Sequence, residues 1–459
     1  NLSPPRLRLG MKHYPLQILA SAMNGTLLNV QDEGETVVTS GVSTDTRSIA
    51  EGSLFFALRG ENFDAHNFLD QAGSAAALVV QDENKVPSER AAILVDSTLT
   101  ALQMLARWYL AELNIPVIAI TGSNGKTSTK DFVRSVISQK FRAHATLGNF
   151  NNHIGLPLTV LALEPEHEVA ILEMGMNHSG ELAPLCEIAP PAVSIITNIG
   201  SAHIEHMGSI EAIAEEKGTV ARALKPEGTL VIPSDCAHQP QTTGRTLLVG
   251  DGPVRAENIV TDTEGSRFDL VIDDLGRIAT SIPVTGKHMV SNALLAAGAG
   301  FTMGLSLEEI SKGLAETTLT SGRLRQYDHA GIAVIDDTYN ANPESVIAAL
   351  ETLAALPGEG KKTAVLGMMA ELGDHAEAAY ERVGQLAAAK NLSLVVVGEP
   401  AETIATAARN AGGTVDFFPN VDAAASFLKT YSASGDLVLF KGSRAAAMER
   451  VMQTAFPQN

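Results

Sequence analysis

Cysteine is scarce in this sequence, and so are basic residues and long apolar runs. There are two cysteines among 459 residues, and neither Cys186 nor Cys236 belongs to a CxxC pair or to the spacing of a zinc site. These counts exclude a disulfide framework and a cysteine-based metal site. We expect two free thiols in a reducing compartment.

Basic residues are outnumbered by acidic ones. Lys and Arg total 33 against 52 Asp and Glu, which gives a formal net charge of −19. On average, a chain with this charge repels nucleic acids and anionic membranes. We therefore predict no nucleic-acid partner, and any phosphate-bearing substrate must be bound by a few well-placed cations.

No apolar run approaches the ~18 residues of a transmembrane helix, so we predict no membrane span. Residues 11–23 faintly resemble a secretion signal, but Pro15 and Gln17 interrupt the apolar stretch. We expect a cytoplasmic monomer. Met11 is the expected start of the native chain, and residues 1–10 are left out of the fold prediction.

An apolar content of 45% and a length of 459 residues fit about three domains. Short apolar strands alternate with helical segments, which predicts an α/β fold. We place the domains at residues 11–113, 114–319 and 320–459. The central one is expected to be a P-loop-like parallel-sheet domain, and the last a Rossmann-like domain with a parallel sheet. Residues 98–113 form a predicted amphipathic helix that leads into the central domain.

The segment VIAITGSNGKTSTK, residues 117–130, is typical of a phosphate-binding loop. An apolar strand runs into a glycine-containing turn, and a helix follows. Backbone N–H groups and the helix N-terminus bind anions in this geometry, while Lys126 can reach outer phosphates and the Thr127 hydroxyl can bind Mg²⁺. The predicted nucleotide-binding residues are Thr121, Gly122, Ser123, Asn124, Gly125, Lys126, Thr127 and Ser128.

The spacing departs from the Walker A pattern, because two residues rather than four separate the glycines. The alternative interpretation is a strand-to-helix turn that carries Gly-Lys-Thr by chance. We prefer the nucleotide site because both the flanking strand and the flanking helix are present.

Two further strand ends in the central segment carry candidate metal ligands. Glu173 ends an apolar strand at residues 169–174, where a carboxylate beside a phosphate loop can bind Mg²⁺. His203 follows the next strand, at residues 193–198. The alternatives are a solvent-facing strand end and a histidine in an ordinary polar contact. The loop between the phosphate-loop helix and the first of these strands offers amide side chains for a substrate: Asn149, Asn151 and Asn152.

Polar clusters also occur near both ends of the chain. The C-terminal strands run into DDTYNANP, residues 336–343, and KGSR, residues 441–444, where parallel strands would present a site. The asparagines there could instead be helix caps. Near the N-terminus the candidates could equally form a solvated face; they are Ser43, Asp45, Arg47, Arg59, Asp64 and His66.

Taken together, these motifs resemble the Mur ligases of peptidoglycan synthesis. The resemblance is carried in order by TGSNGKT at 121–127, Glu173, His203, His288 with Asn292, Arg323 and Asp337. It implies three domains: an N-terminal one for the UDP end of a precursor, a central one for ATP and a C-terminal one for the incoming amine.

Within the family, STDTR, GNFNNHIGLP, DDTYNANP and KGSR resemble the branch that adds D-alanyl-D-alanine to UDP-N-acetylmuramoyl-tripeptide. One departure is Met368, where relatives usually carry aspartate. Two alternatives remain: a related ligase with another amine, such as a diaminopimelate- or lysine-adding enzyme or a folylpolyglutamate synthetase, and an ATP-binding module without ligase activity.

The resemblance also implies residue roles in an ATP-dependent C–N ligase of class 6.3.2, with ATP and Mg²⁺ as cofactors. Arg323 and Asp337 would hold the nucleotide when the domains close, and Asn292 would contact adenine. A second Mg²⁺ near His203 would be supported by Lys217 as its carbamate; the alternative is an ordinary surface lysine. Asn340 would help to bind the nucleotide, and the remaining implied substrate contacts are Asn342, Lys441, Ser443 and Arg444.

Overall fold

The computed structural model describes residues 11, 13–30, 37–38 and 41–458. Its strands form one sheet of nine strands, one of six, one of five and a two-stranded pair. We refer to the parts of the chain that carry the five-, nine- and six-stranded sheets as the N-terminal, central and C-terminal regions. Among the described residues, no helix has both the length and the apolar character that a membrane crossing requires.

The N-terminal region is built around the five-stranded sheet. Its elements are β1 (Tyr14–Pro15), α1 (Leu16–Ala22), β2 (Thr26–Leu28), β3 (Val37–Val38), β4 (Val42–Ser43), β5 (Leu54–Phe56), β6 (Ala77–Val80), β7 (Ala92–Leu94) and α2 (Thr98–Leu113), with 3₁₀ turns at Thr46–Ser48, Ala65–Ala72 and Glu83–Lys85. The strand order is β2-β7-β6-β5-β4, with β2 antiparallel to β7 and the other neighbours parallel.

Helix α2 joins this region to the next. Ser97 caps its N-terminus by accepting a hydrogen bond from Thr100 N, and Asn114 ends it with a φ of +49°. Its buried side chains belong to one apolar core with residues of both neighbouring sheets. The Tyr109 hydroxyl donates to the carbonyl of Leu163, in the central region, at 2.7 Å. The helix predicted for residues 98–113 is therefore confirmed, and it is shared by two regions.

The central region contains the nine-stranded sheet. Its elements are β8 (Val117–Thr121), α3 (Lys126–Ile137), β9 (Ala143–Ala145), α4 (Gly155–Leu161), β10 (Val169–Glu173), α5 (Leu182–Ile188), β11 (Val193–Ile196), α6 (Ile204–Met207), α7 (Ile210–Lys217), α8 (Thr219–Arg222), β12 (Thr229–Pro233), β13 (Arg245–Val249), β14 (Val254–Asp262), β15 (Gly265–Ile272), β16 (Gly276–Ile282), α9 (Lys287–Thr302) and α10 (Leu307–Ala315).

The order of these strands determines where a ligand can bind. It is β16-β15-β14-β13-β12-β11-β8-β10-β9, parallel from β9 to β14 and antiparallel beyond. The chain leaves β8 toward β10 on one side and later returns to β11 on the other. Ligands bind at such a switch point, outside the carboxyl ends of the strands. The ends of β8, β10 and β11 meet there.

The C-terminal region contains the six-stranded sheet. Its elements are β17 (Arg325–His329), β18 (Ile332–Asp337), α11 (Pro343–Ala355), β19 (Lys362–Leu366), α12 (Ala376–Ala389), β20 (Ser393–Val397), α13 (Glu402–Asn410), β21 (Val415–Phe418), α14 (Val421–Tyr431), β22 (Leu437–Lys441) and α15 (Met448–Ala455), with 3₁₀ turns at Gly373–His375, Glu399–Ala401 and Arg444–Ala446. The strand order is β17-β18-β22-β19-β20-β21.

The expectation of a wholly parallel C-terminal sheet is wrong at one edge. Strand β17 pairs with β18 in the antiparallel sense, while the other neighbours are parallel. Its sequence, RQYDH, is polar because an edge strand has one unpaired side, so it lacks the apolar pattern of a buried strand. Each of the three large sheets lies within one of the three predicted domains, and the domain boundaries themselves stay a prediction.

Candidate active site

The turn between β8 and α3 is shaped by two glycines. Gly122 and Gly125 have φ values of +149° and +78°. A Cβ atom on Gly122 would lie 1.8 Å from the hydroxyl oxygen of Thr197, and one on Gly125 would lie 2.7 Å from Oδ1 of Asn292. Both positions therefore require glycine, for backbone conformation and for space.

The turn is held by the end of the neighbouring strand β11. Asn198 accepts hydrogen bonds from Ser123 N at 3.0 Å, through its carbonyl, and from Asn124 N at 2.9 Å, through its side chain. No side chain caps α3, so N–H groups of its first turn remain available to an anion. A helix N-terminus and a rigid turn at a topological switch point form a phosphate-binding site.

Lys126 is the first residue of α3 and is half-buried. Its Nζ donates to the carbonyl of Gly122 at 2.8 Å. Burial lowers the pKa of Lys126, Glu173 opposes this effect, and Arg323 adds to it. A phosphate bound at the turn would give this ammonium group a negatively charged partner.

Thr127 and Glu173 form the polar centre of the site. The Thr127 hydroxyl donates to Oε2 of Glu173 at 3.0 Å, and Asn151 Nδ2 donates to Oε1 at 2.9 Å. The backbone N–H of Glu173 bonds to the Thr146 hydroxyl at 2.9 Å, which fixes the end of β10. Arg323 arrives from beyond α10 and donates to the Thr127 hydroxyl at 3.1 Å.

The Thr127–Glu173 pair fits Mg²⁺. The described residues contain no group of three or more His, Cys, Asp and Glu side chains that could hold a metal ion by themselves. Mg²⁺ commonly uses one or two protein oxygens and completes its shell with substrate phosphates and water. One hydroxyl and one carboxylate beside a phosphate loop match that pattern.

The opposite wall comes from the C-terminal region. Asp337 and Lys441 are paired residues of β18 and β22, and Lys441 Nζ lies 2.6 Å from Oδ2 of Asp337. The same ammonium group donates to the carbonyl of Asn340 at 3.0 Å. The pKa of the adjacent His288 is lowered to about 4, mainly by burial. The charge of Asp337 raises this pKa, and the charge of Lys441 lowers it further. His288 is therefore neutral near pH 7.

A cavity of about 670 Å³ lies between the two regions. Most of the candidate residues line this cavity: Ser123, Asn124, Gly125, Lys126, Thr127, Ser128, Asn149, Asn151, Asn152, Glu173, His203, Asn292, Arg323, Asp337, Asn340, Asn342 and Lys441. Thr121, the last residue of β8, and Gly122, in the turn, are not part of the lining. The volume is in the range of small-molecule and cofactor sites.

Known proteins are similar to this chain in sequence. The family model "Mur ligase middle domain" matches residues 120–300, and "Mur ligase, glutamate ligase domain" matches residues 322–444. The chain is 39% identical over 447 residues to a UDP-N-acetylmuramoyl-tripeptide–D-alanyl-D-alanine ligase of Bacillus subtilis (strain 168), covering 95% of this chain and 96% of that one. The chain belongs to the Mur ligase family.

Solved structures agree with this assignment. A crystal structure of MurF from Acinetobacter baumannii superimposes with a TM-score of 0.89 at 32% identity, covering 98% of this chain and 100% of that one. MurF ligase from Thermotoga maritima, in complex with ADP, gives a TM-score of 0.80 at 29% identity over 90% of this chain and 96% of that one. The predicted family and three-domain α/β fold are confirmed.

The N-terminal candidates of this Mur ligase do not line the cavity. Arg47 forms a bidentate ion pair with Asp45, whose backbone N–H bonds to the Ser43 hydroxyl. Asp64 contacts Arg59 at 3.2 Å and the ring of His66 at 2.7 Å. His66 is buried, and its other ring nitrogen accepts from Gln81 N, so both nitrogens already have partners. A substrate-binding role for the six residues stays a prediction.

The last two candidates also lie outside the cavity lining. Ser443 is buried, and its hydroxyl has no hydrogen-bond partner among the described residues. Arg444 is exposed and pairs with Glu449 at 3.1 Å. Asn152 and Asn342 do line the cavity, but the side chain of Asn152 also accepts a hydrogen bond from Gly155 N at the start of α4, and Asn342 caps α11.

Lys217 is not the surface lysine of the alternative interpretation. Only 1% of its surface is exposed, and among the described residues none forms an ion pair or a hydrogen bond with its ammonium group. Burial lowers its pKa well below the usual value, and the nearby Lys126 acts in the same direction. The neutral amine is favoured in such surroundings. Lys217 lies behind the cavity wall rather than on it.

Several residues that shape the site were not among the sequence candidates. Asn198 orients the phosphate loop, Tyr339 stacks under the Arg323 guanidinium at 4.4 Å, and Glu344 lines the cavity from α11. Asn198 was detectable, because it follows a buried strand as Glu173 does. The others depend on contacts between regions, for which the sequence carries no local pattern.

Proposed function

We propose that this chain is an ATP-dependent ligase that joins D-alanyl-D-alanine to the terminal carboxylate of UDP-N-acetylmuramoyl-tripeptide. The observation that carries the proposal is the cavity between the central and C-terminal regions. It combines a phosphate loop, a hydroxyl–carboxylate pair and an arginine from the neighbouring region. The relatives named for this reaction match nearly the whole chain.

The first chemical task is to hold a triphosphate beside a carboxylate. Loop N–H groups and Lys126 bind the β- and γ-phosphates, and Arg323 neutralises charge from the other side. Since two anions must meet, catalysis consists mainly of positioning and charge neutralisation. Asn292, packed against Gly125, is the proposed contact for the adenine edge, and Asp337 and Asn340 for the ribose side.

Mg²⁺ held by Thr127 and Glu173, and a second ion near His203 supported by carbamylated Lys217, would supply charge neutralisation at the transferring phosphoryl group. The chain's own contribution is to fix these side chains before substrate arrives. Asn151 and Thr146 hold Glu173, and the first turn of α3 holds Thr127.

The second task is to convert a carboxylate into an acceptor for an amine. A carboxylate oxygen of the precursor attacks the γ-phosphorus, the bond to the β-phosphate oxygen breaks, and ADP leaves. The amine of the dipeptide then attacks the acyl carbon of the acyl phosphate, the C–O bond breaks, and phosphate leaves with the electron pair. The amine loses its extra proton to solvent. Exclusion of water between the two steps requires the regions to be closed.

The proposed partners are the two organic substrates. The N-terminal cluster would bind the UDP end of the precursor, and Asn149, Asn151 and Asn152 its peptide. The dipeptide would contact Asn342, Lys441, Ser443 and Arg444. We also propose that the enzyme works as a cytoplasmic monomer.

The test is phosphate release with ATP, Mg²⁺, UDP-N-acetylmuramoyl-tripeptide and a panel of amines. We expect turnover with D-alanyl-D-alanine and at least a hundredfold less with D-alanine, diaminopimelate, lysine or glutamate. Preference for diaminopimelate, lysine or glutamate would identify another ligase of the same fold. Absence of precursor-dependent phosphate release with every amine would indicate an ATP-binding module and refute the proposal.

A further inference from the structure

Residues 200–205, which we call the grip loop, connect β11 to α6 and carry His203. His203 has a φ of +66°, a left-handed conformation that is uncommon for a residue with a side chain. Such conformations persist where the surroundings impose them, and they concentrate at functional sites. The contacts of the grip loop therefore indicate what it does.

One end of the grip loop is held by Glu344. This residue lies in the first turn of α11, in the C-terminal region. Its Oε2 accepts from the Ser201 hydroxyl at 2.9 Å, and its Oε1 accepts from Ser201 N at 3.4 Å. Gly200, the preceding residue, exchanges two hydrogen bonds with the hydroxyl of Ser123 in the phosphate loop, at 2.8 and 3.0 Å. Glu344 is thus linked to the phosphate loop through two residues.

The other end is held by Glu371, also from the C-terminal region. Its Oε2 lies 2.6 Å from Nδ1 of His203, although the two are not aligned as a hydrogen bond. Its carbonyl accepts from Glu205 N at 3.4 Å. Glu371 itself has a φ of +60°. Two non-glycine residues in left-handed conformations therefore face each other across the boundary between the regions.

The two contacts differ from general packing between the regions. Each carboxylate comes from the C-terminal region and meets the same six-residue segment, at positions 201 and 203. The Glu344 carboxylate accepts hydrogen bonds from Ser201, and a charged acceptor forms stronger hydrogen bonds than a neutral one does. The conformation of the grip loop is therefore coupled to how closely the two regions approach.

We propose that Glu344 and Glu371 are positioning residues that hold the grip loop, and with it His203, in its working conformation when the central and C-terminal regions close. The inference rests on the proposed function, because His203 matters only if phosphoryl transfer takes place in this cavity. It assigns Glu344 and Glu371 an effect on the reaction through Ser201 and His203 rather than through the substrates.

The decisive experiment is a double-mutant cycle on Ser201 and Glu344. If the two act through their mutual contact, S201A and E344A each lower kcat about tenfold, and the double variant loses little more than either one. E344Q retains an acceptor oxygen and should keep at least a third of wild-type kcat. The matched control is E351A, because Glu351 is an exposed carboxylate on the same helix. It should leave kcat and KM unchanged.

A readout without substrates separates positioning from catalysis. Amide hydrogen exchange of intact, ligand-free protein should be at least fivefold faster in the peptide that spans residues 200–207 for E344A and E371A, and unchanged for E351A. The two N–H groups that donate to the C-terminal region, those of Ser201 and Glu205, lie in that peptide. Melting temperatures within about 2 °C of wild type would show that the fold is intact.

The outcomes distinguish the inference from the proposed function. If the wild-type protein releases no phosphate with any amine, the proposed function is refuted. Faster amide hydrogen exchange in E344A and E371A would still show that the two glutamates hold the grip loop. If the wild-type protein is active and E344A keeps full kcat, the positioning role of Glu344 is refuted while the proposed function stands. Fully additive effects of S201A and E344A would lead to the same conclusion. Unchanged exchange in both E344A and E371A also refutes the positioning role.

Discussion

At the scale of single residues, the site depends on charges that are buried before any substrate is bound. The ammonium group of Lys126 has a lowered pKa because it is buried, and its hydrogen-bond partner is a loop carbonyl rather than a carboxylate. Phosphate binding gives this charge an anionic partner in a partly buried site, where electrostatic interactions are stronger than in bulk water. Interactions with developing charge are strongest in such surroundings.

Lys126→Ala should therefore lower kcat by roughly 10²–10³-fold or more while the fold stays intact. Phosphate release measures the loss, and circular dichroism with a melting curve checks the fold. Arg134→Ala is the control, because Arg134 is an exposed cation on the same helix. Activity within threefold of wild type in Lys126→Ala would rule out the phosphate-loop assignment.

Lys217 provides a second prediction, which rests on the family resemblance. A buried neutral amine reacts with CO₂ to give a carbamate and a proton, which turns an uncharged side chain into an anion. Lys217→Ala should lose most activity and regain part of it in the presence of acetate, and ¹³C-bicarbonate should give a carbamate signal in wild type alone. Lys225→Ala, at an exposed position, is the control. Normal activity of Lys217→Ala without acetate would contradict the assignment.

The side chain of His144 should make the free energy of unfolding depend on pH. Burial, with a smaller effect of His167, lowers its pKa from 6.5 to about 4. The native state then binds fewer protons than the unfolded state between these pH values, so stability is lost as the pH falls below 6.5. Between pH 8 and pH 5 the loss from this residue is about 2 kcal/mol.

Urea unfolding of wild type and His144→Gln at both pH values measures this contribution. The wild type should lose about 2 kcal/mol more than the variant over that interval. His375→Gln, at an exposed histidine, should behave like wild type. Identical pH dependence of wild type and His144→Gln would show that His144 does not titrate as described.

At the scale of elements, the segment between α10 and β17 has a catalytic consequence. Asp131, on α3, accepts from Thr320 N at 2.8 Å, and Thr127, one turn earlier, accepts from Arg323 at 3.1 Å. One helix thus holds both the phosphate loop and the connection to the C-terminal region. The position of Arg323 in the site is therefore tied to the position of the connection between the two regions.

Arg323→Ala and Asp337→Ala should each raise the KM for ATP about tenfold or more, although both residues follow the central region in sequence. A hydrogen bond to a charged group contributes roughly 1.5–3 kcal/mol, which corresponds to such a change. Initial rates at varied ATP measure it. Arg325→Ala, two residues further along and exposed, should be neutral. Unchanged KM and kcat in either variant would make that residue purely structural.

The elements that the sequence predicted well are those with strong local patterns. Strands β8, β10, β18 and β22 are apolar runs that end in polar clusters, and their positions agree with prediction within two residues. Strands β12, β13, β17 and β21 were not predicted. Strands β17 and β21 lie at the two edges of the six-stranded sheet and lack a buried apolar pattern, whereas β12 and β13 lie inside the nine-stranded sheet and no polar motif follows them in the sequence.

The same distinction applies to the site. Thr127 and Glu173 were predicted as a pair because each follows a recognisable strand end. The contact of Ser201 with Glu344 joins residues 143 positions apart, with no motif at either of them. Contacts of this kind follow from how two regions meet, and a single sequence does not encode that in any local pattern.

At the scale of the whole molecule, apolar cores cross both junctions between the regions. One core includes residues of the N-terminal sheet, α2 and the central sheet, and another includes residues of the central and C-terminal regions. The regions are therefore joined by packing as well as by chain connectivity. This explains how contacts at one boundary can affect the loop that binds phosphate.

The packing of helix α2 determines which fragments of the chain should stay soluble. Helix α2 packs against α4 and α5, and its buried side chains include Leu102, Leu105 and Tyr109, each worth roughly 1.5–3 kcal/mol of burial. A fragment of residues 98–458 should be recovered as a monodisperse species, while residues 114–458 should aggregate, as size-exclusion chromatography would show. Equal solubility of the two would place α2 with the N-terminal region. If the two fragments differ as expected, the helix that the sequence assigns to one domain covers an apolar surface of the next, and a soluble truncation must begin at or before residue 98.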